Sequence, residues 1–357
     1  MTDRIQIFDG HNDTLLRLHL KQGEDPVKAF LEGDGAGHID LPRAREGGLV
    51  GGLFAIFVRS PEGRSADVEA MMQQPRYDVP LPAGFGSERA LAETLAMASI
   101  LFRIERSSEG RVKICRDTAD IASAVEAGAL AAVLHIEGAE AIDARFDNLE
   151  VLYQAGLRSL GPVWSRSNIF GHGVPFRFPS TPDTGPGLTD LGKELVRRCN
   201  GLGVMIDLSH ITEAGFWDVA EISDAPLVAS HSNAHAVTPH ARNLTDRQLA
   251  AIRESGGLVG VNYATAFLRP DGRMTTDTPL EMMLRHVDHL VEQLGIDHVG
   301  LGSDFDGAAI PREIGDAAGL PNLVVAMREH GYSAKEIQNI CFDNWLSVLE
   351  RTWKNPR

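Results

Sequence analysis

A chain of 357 residues, 43% hydrophobic and 23% charged, can bury a large core as one α/β unit or two smaller ones. Its formal net charge of −15 argues against nucleic acid or an anionic membrane surface as a partner. No apolar run reaches the roughly 18 residues of a membrane span. Cys115, Cys199 and Cys341 are scattered and odd in number, which excludes a disulfide framework. With no signal-peptide core in "RIQIFDGHND", the reading is a cytoplasmic protein.

The predicted strands, in chain order, are Ile5–Asp9, Gly51–Val58, Ala131–Ile136, Ser159–Val163, Gly203–Leu208, Pro226–Ser230, Leu258–Asn262 and His298–Gly302. They are mostly continuous Val, Ile, Leu and Ala runs, as strands covered by helices should be. Helices fall between them. A helix is expected at about 88–106; Thr118–Ala127 follows Asp117 as N-cap, Asp190–Asn200 follows Thr189, Ala214–Ile222 follows Thr212 and Asp246–Glu254 follows Thr245. Pro279–Leu294 has helical apolar spacing, and "SAKE" at 333–336 is a capping box opening a last helix that runs to about Thr352.

Eight strands alternating with helices predict a parallel (β/α)8 barrel, a TIM-like α/β fold, with a doubly wound open sheet as the runner-up. No glycine-rich dinucleotide fingerprint follows the first strand, which weakens that alternative. There is no internal repeat and no domain boundary, so residues 1–357 read as a single domain. Two long connections, about 59–87 and 165–188, leave the C-terminal ends of strands two and four, where barrel enzymes place active sites.

The barrel expectation says where to look for chemistry. Strand one runs into "DGHND", whose Asp9, His11 and Asp13 share a face if extended geometry persists. Strand three ends in Glu137, strand five in His210, strand six in His231 and strand eight in Asp304. A structural explanation needs a separate partner for each of these groups, because an unpaired buried charge is costly. Divalent cations satisfy them together. Three imidazoles and three carboxylates exceed what one tetrahedral zinc with an open position requires. With Glu137 bridging, His11 and Asp13 complete one ion, and His210 and His231 the other. The nitrogen-rich set suits zinc, with manganese or cobalt as alternatives. Two ions about 3.5–4 Å apart can hold a shared hydroxide and polarise a carbonyl. Asp304 is then left as proton shuttle.

The remaining polar residues have plainer readings. His19, His38, His286, His289 and His330 read as helix or loop surface residues. His135 shares a face with Glu137 one layer deeper and reads as a satisfied core histidine. Asp306 is the rival of Asp304 for the acid–base role, and Asp207 has no account at this stage.

Five motifs resemble the renal (membrane) dipeptidase family of binuclear zinc peptidases: "DGHND" at 9–13, "HIEG" at 135–138, "IDLSH" at 206–210, "SHSNAHAVTPHARN" at 230–243 and "GSDFDG" at 302–307. They occur in the family's order over nearly the whole chain. The resemblance implies an amidohydrolase-type barrel with two Zn2+, His11 and Asp13 on the first ion, Glu137 bridging, His210 and His231 on the second, and Asp304 as the catalytic acid–base. It also implies that Arg242 binds the C-terminal carboxylate of a dipeptide, which suits a guanidinium fork. One departure stands out. Better-known members have a substrate-contacting histidine after strand four, and here "LGPVWSRSN" places Trp164 there. His172 and Arg166 on the same loop are candidate substitutes as oxyanion partner; the alternative is that Trp164 only closes the barrel top and the second metal carries the oxyanion alone.

The resulting expectation is a zinc-dependent dipeptidase that accepts L,D-dipeptides, a small-molecule enzyme for which a homodimer is compatible with the sequence. An N-acyl amino acid or cyclic amide hydrolase on the same centre is the alternative. A non-catalytic metal-dependent binding protein is the third reading, and Asp304 beside a full ligand set argues against it.

Overall fold

A computed structural model describes residues 5–353 apart from Gln22, Glu24 and residues 61–65. Eight strands of one parallel sheet form the barrel, β1 (Ile7–Asn12), β2 (Leu49–Phe57), β3 (Leu130–Glu137), β4 (Leu157–Gly161), β5 (Met205–Ile206), β6 (Val228–Ser232), β7 (Leu258–Asn262) and β8 (Val299–Gly302), and a ninth short strand, Val112–Ile114, pairs parallel with β3 off that path. Their order is β5-β4-β3-β2-β1-β8-β7-β6, and every neighbouring pair is parallel. The seam between β5 and β6 has no ladder. A single Asp207–Val228 bridge, with the Leu208 N–H donating to the Val228 carbonyl at 2.8 Å, closes it into a nearly complete barrel. The expected barrel is therefore the observed one, and the open sheet is not.

The strands are buried on both faces because helices cover the outside and side chains fill the inside. The filling is unusual at the bottom. Phe8, Leu53, Ala131, Val133, Met205, Val228 and Leu258 meet Trp345, which rises from helix Asn344–Thr352. The indole is fully buried and donates to the Leu301 carbonyl at 2.9 Å. Gly10, Gly260 and Gly300 clear its path, since a Cβ at any of them would press into the ring.

Helix starts follow their caps. Asp117, Thr189, Thr212 and Thr245 each accept a backbone N–H, starting helices Thr118–Glu126, Asp190–Leu202, Glu213–Ile222 and Asp246–Glu254. The Ser333–Glu336 capping box is present, and the helix it opens runs to Thr352 by way of a π-helical segment, Asn339–Asp343. His286 is corrected from surface to core. It is buried in helix Leu280–Leu294, where Nδ1 accepts the Ala234 N–H at 3.1 Å and Nε2 lies 3.0 Å from the Leu268 carbonyl.

Both long connections fold back over the C-terminal end of the barrel. Tyr77–Asp78 pairs antiparallel with Arg177–Phe178, and this ribbon carries a separate apolar cluster including Met72, Val79, Phe176 and Phe267. Among the described residues no helix is long and apolar enough to cross a membrane.

Candidate metal centre

His11 lies within β1, Asp13 stands just before the helix that follows without capping it, and Glu137 ends β3. His231 lies within β6, whereas His210 and Asp304 stand on the turns just past β5 and β8. Both turns are left-handed, with φ of 68° at His210 and 59° at Asp304, a conformation that costs a non-glycine residue free energy and gathers at functional sites.

The six side chains converge. His210 Nε2 and His231 Nε2 are 3.1 Å apart, and each is within 3.3 Å of Glu137 Oε1 (3.2 and 3.3 Å). Two ligand atoms about 2.0–2.1 Å from one cation in tetrahedral array lie roughly 3.3 Å from each other. His11 Nε2 is 3.7 Å from the same Glu137 Oε1 and 3.6 Å from Asp13 Oδ2, with its ring centroid 3.9 Å from that of His231. Asp304 joins His11 and Asp13 with donor atoms within 4.8 Å of one another.

Hydrogen bonding behind the rings sets which atoms face inward. Ser230 Oγ donates to Asp207 Oδ2 at 2.5 Å, so its lone pair is what His231 Nδ1 meets at 2.7 Å. The His231 proton therefore sits on Nδ1, and Nε2 presents a bare lone pair to the cluster. His210 Nδ1 lies 2.8 Å from Ser165 Oγ, which anchors that ring. Both ring nitrogens of His11, Asp13 Oδ1 and Glu137 Oε1 are buried with no hydrogen-bond partner. So many inward-facing acceptors need a cation between them or protons upon them.

The metal-free electrostatics agree. Burial raises Glu137 well above the ordinary carboxyl range, and it raises Asp13 as well, with the Asp304 and Asp306 charges adding to it. Burial opposes a charge on His11, but Glu137, Asp13 and Asp304 outweigh it and hold that imidazole at about 10. Burial and the neighbouring His11 and Arg242 charges keep His231 neutral. The metal-free cluster thus carries protons at neutral pH that a cation must displace.

Asp9 does not join the cluster. Its carboxylate accepts from Ser303 N at 2.7 Å and Ser303 Oγ at 2.9 Å, locking β1 to β8 one layer below. Burial raises its pKa to about 6. Asp207, for which the sequence offered no account, accepts from Ser209 N and from both the N–H and Oγ of Ser230. His135 lies beneath His11, with Nδ1 2.8 Å from Ser159 Oγ and Nε2 3.6 Å from Asp207 Oδ2.

The two aspartates after β8 are distinguished by their partners. Asp306 accepts from Thr14 Oγ1 at 3.1 Å, Arg17 Nε at 3.1 Å and His38 N at 2.6 Å, a wholly structural set. Asp304 accepts at Oδ2 from Asn262 Nδ2 at 3.0 Å and is half-buried beside the ligands. Asn262 ends β7, and an amide at a strand end carries no metal-ligand or acid–base signal in the sequence.

A cavity of about 580 Å³ opens over the cluster, with Asp13, Glu137, His210 and Asp304 in its lining and Phe57, Trp164, Phe176 and Phe267 as apolar wall. The Trp164 ring lies 4.7 Å from Phe57 and 5.8 Å from His210 between centroids. Arg166 and His172, like Arg242, are not among the residues that line this cavity. Arg166 is fully buried, donating to Glu140 Oε1 at 2.8 Å, Ser60 Oγ at 2.9 Å and the Val58 carbonyl at 3.1 Å, which pins the loop to β2 and β3. His172 Nδ1 is 3.0 Å from Ser167 Oγ. Arg242 is buried behind the Phe267 wall, its guanidinium 5.4 Å from that ring centroid and its Nη2 donating to the His231 carbonyl at 2.9 Å. Its Nε has no partner. Burial lowers its pKa to about 10, offset in part by the Asp304 and Glu137 charges.

A parallel barrel that gathers these groups at its C-terminal mouth belongs to the metal-dependent hydrolases in its architecture. The chain is a member of the membrane dipeptidase family, peptidase family M19, whose family model matches residues 1–356, and it is thereby a metallo-dipeptidase. A metallopeptidase of Rhodobacter sphaeroides, solved with a phosphinate mimic of the dipeptide L-Ala-D-Ala, superposes with a TM-score of 0.97 at 56% identity, over 98% of this chain and 100% of that one. An uncharacterised Klebsiella pneumoniae protein from the pqqA 5′ region is 50% identical over 256 residues, 72% of this chain and 94% of its own length. Dipeptidase tcpJ of Claviceps purpurea is 27% identical over 345 residues, 96% of this chain and 76% of that protein.

Proposed function

We propose that the protein hydrolyses dipeptides, L,D-dipeptides among them, with two zinc ions: one held by His11, Asp13 and Glu137, the other by Glu137, His210 and His231. The observation that carries the reading is the meeting of two imidazole nitrogens and a carboxylate oxygen at 3.1–3.3 Å, the spacing of ligands around one cation. Three imidazoles among the donors favour zinc over magnesium or calcium. When bound, such ions supply Lewis acidity, lowering the pKa of a water and polarising the scissile carbonyl.

The chain's own residues do the rest. Asp304, fixed by Asn262, takes the proton of the attacking water and delivers it to the leaving amine nitrogen. Arg242, with an unsatisfied donor beside the cluster, takes the substrate's carboxylate. The Phe57, Trp164, Phe176 and Phe267 wall packs against a substrate side chain, and Trp164 offers surface there rather than a charge for the oxyanion. The D-residue at the C-terminal position rests on the Rhodobacter relative and its ligand. The cytoplasmic placement rests on three scattered, buried thiols.

A panel of L,L- and L,D-dipeptides, with N-acetylated and C-terminally amidated controls, tests this on the zinc-loaded protein. Hydrolysis of L,D-dipeptides is expected, and Arg242→Ala should cost about 1.5–3 kcal/mol in kcat/KM, as befits a charge-assisted contact. Equal rates on a dipeptide and its amide would remove Arg242 from the carboxylate. Faster hydrolysis of N-acetyl amino acids would move the reading to the acylase alternative.

The Asp207–Ser230–His231 chain yields a separate expectation. Asp207→Asn weakens the hold on the His231 tautomer and should lower metal affinity roughly 10–100-fold. Competition with a chelator measures it; unchanged affinity would show that Ser230 alone fixes the ring.

A further inference from the structure

His240 is buried and takes no part in the mechanism above. Its Nδ1 accepts the backbone N–H of Arg242 at 3.0 Å, and its carbonyl accepts the Asn243 N–H at 2.9 Å, so it closes the turn that carries Arg242. Since Nδ1 accepts, the ring proton is on Nε2, and that nitrogen is buried without a partner. It lies in a box of aromatic rings: the Phe267, Tyr77 and Phe178 centroids are 4.6, 5.8 and 6.3 Å away. An apolar side chain would suit that box better, because an unsatisfied buried N–H is a cost. What the imidazole adds is the acceptor at Nδ1. Burial and the Arg242 charge keep the ring neutral, so the acceptor is always present.

The same box reaches the cavity roof. Tyr77 and Phe178 come from the two strands of the roofing ribbon, the Ala241 N–H donates to the Arg177 carbonyl at 3.1 Å, and Phe267 is shared with the Arg242 guanidinium.

We propose that His240 is a positioning residue for Arg242: it shapes the arginine's turn and ties the guanidinium to the ribbon that roofs the cavity, so that carboxylate recognition depends on an imidazole that never touches substrate. The proposal rests on the reading of Arg242 given above.

Two substitutions with the same number of side-chain heavy atoms separate this from packing. His240→Asn offers an amide oxygen where Nδ1 stands but puts a second polar group in the aromatic box. His240→Leu fills the box and offers no acceptor. If His240 only packs, activity follows heat stability, with leucine ahead. Under the proposal the order reverses: in the zinc-loaded enzyme, His240→Leu melts higher than His240→Asn yet raises KM for an L,D-dipeptide about tenfold or more with kcat within about threefold, while His240→Asn keeps KM within about threefold of wild type. A wild-type KM in His240→Leu, or equal KM in the two variants, overturns it. Should the leucine variant not fold, His240→Phe takes its place, keeping a ring without an acceptor. Arg242→Ala is measured alongside. An unchanged KM there overturns the carboxylate reading itself, whereas a raised KM there with a wild-type value in His240→Leu overturns only the positioning role.

Discussion

Asp304→Asn is expected to keep the metal content of the wild-type protein and to lower kcat by about 100-fold or more, the lower range for loss of a general acid–base. The amide can still meet Asn262, which donates to the carboxylate at 3.0 Å in the native chain, so the turn should hold. What it cannot do is carry a proton between water and the leaving nitrogen. Asp306→Asn is the matched control. Its carboxylate is engaged by Thr14, Arg17 and the His38 backbone, so its loss should appear as a lower melting temperature. Kinetics and metal analysis on both variants decide the matter. A hundredfold loss of kcat in Asp306→Asn and not in Asp304→Asn would reverse the assignment.

Glu137→Gln should have an equally large effect through a different quantity, the number of ions held. One carboxylate oxygen lies within 3.7 Å of three imidazole nitrogens, so neutralising it removes a shared charge from both halves of the centre. Metal per chain, measured by elemental analysis after dialysis, should fall from near two to below one, with activity falling alongside. Retention of two ions at full activity would rule out the bridge. Acidity should act in the same direction on the native enzyme. The metal-free cluster holds protons, His11 with a pKa of about 10 and Glu137 raised by burial, so each cation displaces protons as it binds. Apparent metal affinity therefore rises with pH through neutrality and falls on acidification.

The barrel was legible because strands buried on both faces read as unbroken apolar runs, and each predicted strand overlaps an observed one. Helices with a Thr or Asp cap were legible too. Asp147–Ala155 was not, since it starts after Phe146 in a left-handed conformation with no side-chain cap. Pro26–Glu32 was missed although Asp25 and Pro26 are a readable start signal. At the site, the rule of polar residues at strand ends found the converging six because strand position alone places them. It could not find Asp207, Asn262 or His240, whose significance lies in hydrogen bonds to residues on other strands or to their own backbone turn. Arg166 was offered for its place on the loop after strand four, and in the fold its guanidinium contacts turn toward Glu140, Ser60 and Val58.

Trp345 has a bearing on how the centre comes into being. The indole closes the space beneath β1, β7 and β8, yet every proposed ligand precedes it in the chain. His11 and the ring that seats its strand stand far apart in the sequence, with the other five converging residues between them. Contacts so distant in sequence form late and together, after the loop entropy of the whole barrel has been overcome. The ligands are therefore expected to acquire fixed places as a set, when helix Asn344–Thr352 docks. A chain cut between Gly331 and Ser333 would retain all six and still have no floor to hold them in register.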